Sequence, residues 1–298
     1  MKDESLFVDV GNINQIHLKR WFEQEHGDPV LLIHGSIENG RIFYSENGKG
    51  FAPFLAKQGY DVYVPDLRGH GKSTPSIGRK SDFGNSEMIN EDLPKIVRKI
   101  QERTGTRKLW LGAHSWGGNL LIAWHARYPE QAIVQGIVLF GTRRAISIWN
   151  WERFYKLSLA WGIFGGWKVK SDGFLNAKRY NLGADNETAK TYHETNMWLY
   201  DGSKMNDPYD DFDYLAAMKE IDFPPILAIT GSGDKTLGNP IDCEFTAKQT
   251  GSQNLLFKIL GKKTGHKDNY DHISLLTHKN ASDDQFRLVL DWMHKLES

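Results

Sequence analysis

The sequence holds a single cysteine, Cys243. One thiol cannot build an intrachain disulfide framework, and it leaves no Cys-rich zinc site to consider. Long apolar runs are missing too: no stretch approaches the roughly 20 residues that cross a bilayer, so no integral membrane segment is expected. The N-terminus, Met1-Lys2-Asp3-Glu4-Ser5-Leu6-Phe7-Val8, has early acids and no apolar core of signal-peptide length, which predicts a cytoplasmic protein. In that compartment the sequons at Asn186 and Asn280 read as chance. Neither sign of charge is in excess, because Lys plus Arg and Asp plus Glu both number 37. A chain without net charge offers no global field to nucleic acid or an anionic membrane, so a small, roughly neutral partner is expected. Internal repeats and low-complexity runs are also lacking, which leaves 298 residues for one main domain with room for an insertion.

What the sequence does have is alternation. Short apolar runs recur with helical stretches between them, the mark of a parallel sheet covered by helices. Residues 5–10 and 16–22 read as two opening strands joined by the turn-forming Gly11-Asn12-Ile13-Asn14. Further strands are expected at 29–33, 61–65, 109–113, 133–140, 225–230 and 254–260, about eight in all, and helices at 51–58, 88–103, 119–128 and 286–295. The later strands are nearly all apolar, as strands buried on both faces should be.

From about 143 to 213 the alternation breaks. That segment carries Trp149, Trp151, Trp161, Trp167 and Trp198, half of the ten tryptophans, together with Phe154, Tyr155, Phe164, Phe174, Tyr180, Tyr192 and Tyr200. A helical, aromatic-rich insertion of that length exceeds an ordinary connection and reads as a lid, with some of its aromatics forming its own core and a minority facing a pocket. The expected division is a catalytic domain from 1–142 and 214–298 with a helical cap at 143–213, inserted after strand 6.

The strongest chemical signal is Leu109-Trp110-Leu111-Gly112-Ala113-His114-Ser115-Trp116-Gly117-Gly118-Asn119-Leu120. A strand runs into small residues, a serine, more small residues and a helix. This is the pattern of a nucleophile elbow, where the serine sits on a sharp, strained turn and its neighbours must be small to let strand and helix approach. Against the consensus G-x-S-x-G, Ala113 stands at the first glycine position and leaves the steric logic intact. A glycine-rich turn of this kind can also hold phosphate, but such a loop has more glycines before its helix and a lysine inside it.

A second signal is Val30-Leu31-Leu32-Ile33-His34-Gly35-Ser36-Ile37-Glu38-Asn39-Gly40, a buried strand ending in His-Gly. Here the chain resembles the α/β-hydrolase family, and the resemblance covers nearly everything outside the insertion. It implies an α/β fold with a mostly parallel eight-stranded sheet flanked by helices. It also implies an oxyanion hole made by the N–H of Trp116 and that of Ser36, or of Ile37 as the alternative. His34 is then a residue that shapes the loop. The run Asp66-Leu67-Arg68-Gly69-His70-Gly71-Lys72-Ser73 looks like the family's D-x-R-G-x-G turn, which makes Asp66 and Arg68 fold residues.

A serine hydroxyl is a weak nucleophile and needs a base, oriented by an acid. The family's chain order is Ser, acid, His. Asp234, at the end of Pro225-Ile226-Leu227-Ala228-Ile229-Thr230-Gly231-Ser232-Gly233-Asp234, stands where the family commonly holds its carboxylate, whereas Phe140-Gly141-Thr142-Arg143 after the preceding strand contains no acid. Two histidines follow the final strand. His272 lies in Asn269-Tyr270-Asp271-His272-Ile273-Ser274, which looks like a Y-G-H-x-D pattern of lipase-like members, with Asp271 and Ser274 in place of its Gly and Asp. His266, after Gly265, is the alternative base. No metal or other cofactor is expected, since the spacing of His266, Asp268, Asp271, His272 and His278 matches no common ligand motif, and Asp207 to Asp213 lacks the EF-hand glycine and terminal Glu.

Ser115 argues against dehalogenases and epoxide hydrolases, whose nucleophile is an aspartate. The absence of a H-G-G-P-G loop demotes peptidase activity. An apolar lid and the lipase-like histidine region favour a carboxylesterase or monoacylglycerol-type lipase acting on a small apolar ester. Other chemistries of the same triad (peptidase, carbon–carbon bond hydrolase, perhydrolase), or a hydrolase-fold protein that only binds a small ligand, remain the alternatives.

Overall fold

A computed structural model describes residues 1–11 and 14–298, so Asn12 and Ile13 of the expected opening turn lie outside the described residues. Ten strands are present among the described residues: β1 Lys2–Gly11, β2 Asn14–Phe22, β3 Pro29–Ile33, β4 Asp61–Pro65, β5 Lys108–His114, β6 Ile133–Phe140, β7 Phe174–Leu175, β8 Glu187–Thr188, β9 Ile226–Gly231 and β10 Leu255–Leu260. Eight of them form one sheet in the order β1-β2-β4-β3-β5-β6-β9-β10, while β7 and β8 pair with each other. β2 runs antiparallel to both of its neighbours, and every other pairing in the large sheet is parallel. A short turn suffices for the β1–β2 hairpin; the parallel strands need crossovers, which the helices supply.

Strands β3 and β4 are buried throughout, and β5 is buried except for Lys108. Alternate side chains therefore feed two cores. Leu31, Ile33, Leu109, Leu111 and Ala113 face one layer, and Val30, Leu32, Trp110 and Val138 face the other. The helix Leu93–Thr104 closes the first layer with Leu93, Ile96, Val97 and Ile100, an i, i+3, i+4, i+7 stripe, and stops at Gly105 with φ 71°. The C-terminal helix Gln285–Glu297 closes the second with Phe286, Val289, Leu290 and Met293.

The winding direction decides where a site can form. From β3 the chain goes to β4 on one side and later returns as β5 on the other, so the loops leaving β3 and β5 part and open a crevice at their carboxyl ends. The turn after β4 is braced from beneath. Asp66 accepts the N–H groups of Gly40 and Lys72, both at 2.9 Å, and meets His17 Nδ1 at 2.8 Å. Arg68 donates to Glu91 at 2.7 Å and pairs with Asp92.

The segment between β6 and β9 contains a π-helical stretch, Phe154–Gly165, the helices Gly166–Asp172 and Ala189–Tyr200, and the small β7–β8 pair. Val169, Leu175, Ala177 and Tyr192 form a small core of their own there. Many of its aromatics face solvent: Trp149, Trp151, Tyr155, Trp167 and Tyr200 are all exposed. Trp198 is instead buried against Trp116 and Tyr214.

Candidate active site

Ser115 links β5 to the helix Trp116–Arg127 with φ 52° and ψ −124°, a backbone conformation that an L-residue holds only when its surroundings enforce it. Close packing does the enforcing. A Cβ on Gly117 would lie 2.3 Å from the His34 carbonyl oxygen, and one on Gly35 would lie 2.8 Å from Ser115 Cβ. The helix start is thus pressed against the end of β3, and the serine hydroxyl is left at the crevice.

The loops after β9 and β10 bring two more groups to it. His272 Nε2 lies 2.9 Å from Ser115 Oγ, and His272 Nδ1 lies 2.7 Å from Asp234 Oδ2. Asp234 Oδ1 also accepts the Thr236 N–H at 3.3 Å. Burial pushes the His272 imidazole below its usual 6.5, despite the opposing hydrogen bond to Asp234. Burial would raise Asp234, yet its hydrogen bond to His272 and the attraction of that ring hold its carboxyl below the usual range. An acceptor nitrogen facing a hydroxyl, backed by an ionised carboxylate, is an arrangement that can take a proton from the serine.

His266 sits elsewhere. Its Nδ1 lies 2.6 Å from Asp284, which also accepts the Tyr270 hydroxyl at 2.7 Å. His34 holds the loop after β3: its Nε2 accepts the Leu67 N–H at 2.9 Å and its Nδ1 donates to the Gly35 carbonyl at 2.8 Å. Burial lowers its pKa to about 4, so the ring stays neutral as those contacts require.

Ser36 and Trp116 line the same cavity as Ser115. Among the described residues the Ser36 N–H has no hydrogen-bond acceptor, while the Ile37 N–H is occupied by Glu187 Oε2 at 3.3 Å. Ile37 itself has φ 54°, an unusual conformation for a β-branched residue that turns its amide toward Glu187. Trp116 opens its helix, so its N–H has no intrahelical partner.

Two residues without a role in the sequence reading complete the surroundings. His114 Nδ1 lies 2.8 Å from Glu38 Oε2, which also accepts the Gly35 N–H at 2.9 Å, and His114 Nε2 lies 3.0 Å from the His272 carbonyl oxygen. A carbonyl only accepts, and an ionised carboxylate only accepts, so both ring nitrogens carry protons and His114 is a cation. Burial opposes charge on both groups, but their mutual attraction and hydrogen bond outweigh it, holding Glu38 at about 2 and raising His114. The only hint in the sequence is a histidine closing an otherwise apolar strand.

His114 is buried and Glu38 largely so, and removing the carboxylate leaves a buried cation uncompensated. Glu38→Ala is therefore expected to lower unfolding stability by about 3 kcal/mol, as read by urea denaturation. Glu38→Gln can still accept a hydrogen bond from Nδ1 through its amide oxygen and should keep most of that stability. The pair's contribution is present above the unfolded Glu value of 4.5, and falls off as pH drops toward about 2. It is also present below the unfolded His value of 6.5, and falls off as pH rises through the raised folded value. The difference between wild type and Glu38→Ala should accordingly be greatest between pH 4.5 and 6.5.

The crevice widens into a cavity of about 650 Å³, lined by Ser36, Ser115, Trp116 and His272 and by apolar groups such as Leu157, Leu182, Leu199 and Leu237. Of the insertion's aromatics only Trp161 lines it. Among the described residues, no group of three or more His, Cys, Asp or Glu side chains is placed to hold a metal ion, and no helix is long and apolar enough to cross a membrane.

Comparisons with known proteins agree with this architecture. The chain is similar to sterol esterase 2 of Saccharomyces cerevisiae, 28% identical over 122 residues that make up 39% of this chain and 22% of that protein. It is also similar to a proline iminopeptidase of Xylella fastidiosa, 25% identical over 203 residues, 64% of this chain and 59% of that one. In both cases the match spans less than two thirds of the relative's length. Among solved structures, a thermophilic esterase from Thermogutta terrifontis superposes with a TM-score of 0.61 at 18% identity, covering 99% of this chain and all of that one, a likeness of fold. The sequence profile of the alpha/beta hydrolase fold matches residues 28–278, and with most of its length accounted for in this way the chain belongs to the α/β-hydrolase family.

Proposed function

We propose that the chain is a serine hydrolase of carboxylic esters, of the carboxylesterase or monoacylglycerol-lipase kind, with Ser115 as nucleophile, His272 as general base and Asp234 as its orienting acid. The observation that carries the reading is the Ser115 Oγ–His272 Nε2–Asp234 Oδ2 chain, at 2.9 and 2.7 Å, on the wall of a largely apolar cavity. Ser115 attacks the ester carbonyl as His272 takes its proton. The oxyanion is held by the N–H groups of Ser36 and Trp116, each donor contributing on the order of 3 kcal/mol to lowering the barrier. Protonated His272 then gives its proton to the departing alcohol, and water clears the acyl-enzyme by the same route. Residues 143–213 act as the cap, supplying Leu157, Trp161, Leu182 and Leu199 to the cavity roof.

The aminopeptidase reading raised by the iminopeptidase relatives meets an electrostatic objection. An aminopeptidase must recognise an ammonium group, and the only carboxylate among the described lining residues, Glu38, is already committed to His114 and Gly35. Hydrolysis of p-nitrophenyl esters of graded acyl length, beside proline p-nitroanilide and a fluorophosphonate probe followed by intact mass, tests the assignment. Ester turnover with labelling of Ser115 supports it. Labelling without ester turnover would move the chain to another acyl chemistry or to ligand binding.

The depressed His272 pKa sets the pH profile. The base form accumulates as pH rises, so kcat/KM should climb through a single ionisation below 6.5 and be flat above it. A midpoint above 6.5 would contradict this.

A further inference from the structure

From one unpaired cation on the cavity wall we infer that the substrate carries a carboxylate, bound by Arg143 in the same cavity as Ser115. The inference rests on the proposed ester chemistry and narrows its substrate class.

Arg143 is 8% exposed and lines the cavity with Ser115, His272 and Leu237. Its place is fixed from two sides. The Arg143 carbonyl accepts Asn119 Nδ2 at 2.9 Å, tying it to the helix that follows Ser115, and its Nε donates to the Leu237 carbonyl at 2.5 Å, tying the guanidinium to the loop that follows Asp234. Among the described residues Nη1, which is buried, has no hydrogen-bond partner. Among the described residues no carboxylate comes within 4.0 Å of its nitrogens. The nearby acids are otherwise engaged: Asp234 holds His272, and Asp242 Oδ1 holds the N–H and hydroxyl of Ser147. The other arginine of the lining, Arg41, is mostly exposed and lies 3.8 Å from Glu46.

A buried guanidinium without a counter-ion is costly, and burial presses Arg143 toward losing its charge. An anion entering the cavity removes that cost. With Nε given to Leu237, the two Nη groups form the side of the planar fork left for a carboxylate, which can meet them with two parallel hydrogen bonds, whereas a dianionic phosphate would need more donors than one arginine offers. The apolar remainder of the cavity accommodates the carbon chain between that carboxylate and the ester. The competing arrangement is a solvent-mediated pairing of Arg143 with Asp242, whose buried Oδ2 has no partner of its own.

Two substrate pairs decide between them. Mono-p-nitrophenyl suberate is compared with the p-nitrophenyl ester of suberic monoamide, placing the charge on the acyl side, and 4-butyryloxybenzoate with 4-butyryloxybenzamide, placing it on the alcohol side. Wild type should favour the anion of at least one pair by tenfold or more in kcat/KM. Arg143→Gln should abolish that preference, lowering kcat/KM for the anion at least tenfold more than for its neutral amide, and Arg143→Lys should keep part of it. Should Arg143→Gln fail to fold, competitive inhibition of wild type by suberate but not by suberamide carries the same information. Equal turnover within both pairs, or an equal loss on both members in Arg143→Gln, would overturn the proposal in favour of the Asp242 pairing. Those results would leave the ester reading intact, since neutral esters would still be cleaved; absence of turnover for all four esters would overturn the ester reading itself.

Discussion

Ser115→Ala is expected to lower kcat for an activated ester on the order of 10⁶-fold, with the far-UV spectrum and urea midpoint little changed. The size follows from cooperation among the three groups. Without the hydroxyl, His272 has nothing to deprotonate except water, and the acyl-enzyme route closes. On the proposed roles, what would survive is binding and the N–H groups of Ser36 and Trp116, worth about 10³-fold over the uncatalysed reaction. The small structural effect follows from geometry. The strain at φ 52° belongs to the backbone, and alanine adopts that conformation no less readily than serine. A steady-state assay with an active-site titrant is sufficient, because a residual rate within tenfold of wild type would remove Ser115 from the mechanism.

His272→Ala should fall by a similar factor, on the order of 10⁵ to 10⁶, because nucleophile and base act as one unit. His266→Ala should stay within about threefold of wild type, since that ring is committed to Asp284, 2.6 Å from its Nδ1. The pair of variants separates the two histidines that the sequence leaves in competition. Reversal of the two outcomes would mean that the loop after β10 takes another conformation in the working enzyme. His272→Ala also removes the ring tilted against that of His114, their centroids 4.6 Å apart. The Glu38–His114 pair stays whole, so the loss should be in kcat with the fold retained.

The fold was legible because strands buried on both faces, as β3, β4 and β9 are, have no choice but to be apolar; β10, expected to be buried likewise, is an edge strand and is partly exposed. The runs at 29–33, 61–65 and 133–140 coincide with β3, β4 and β6, and the remaining expected sheet strands differ from the observed ones by three residues or fewer at any end. Helices proved less legible where packing rather than periodicity selects the residues. Pro240–Gln249 buries Asp242, Cys243, Thr246 and Ala247, a set with no apolar stripe to read, because Asp242 serves as a hydrogen-bond acceptor for Ser147. The helix after Ser115 begins three residues earlier than expected, since Gly117 and Gly118 look like breakers until their contacts with His34 and Thr142 are seen.

At the candidate site, serine and aspartate stand out because each closely follows a readable strand. The histidine does not, because two candidates share one loop and only tertiary packing brings one of them to Ser115. Glu38 and His114 are 76 positions apart, and nothing local links them. Arg143 drew attention only as a position lacking an acid. Its importance depends on the absence of a partner, which no single sequence displays.

The site draws its parts from loops leaving β3, β5, β9 and β10, and the hydrogen bond between Ser115 and His272 joins positions 157 residues apart. On the proposed roles, a chain still being synthesised carries its serine long before it carries the base that makes that serine reactive. Chemistry begins only when β10 has been made and has docked beside β9, the last strand pairing of the sheet. On the same roles, a product truncated before His272 would carry the elbow sequence without its base and remain inert.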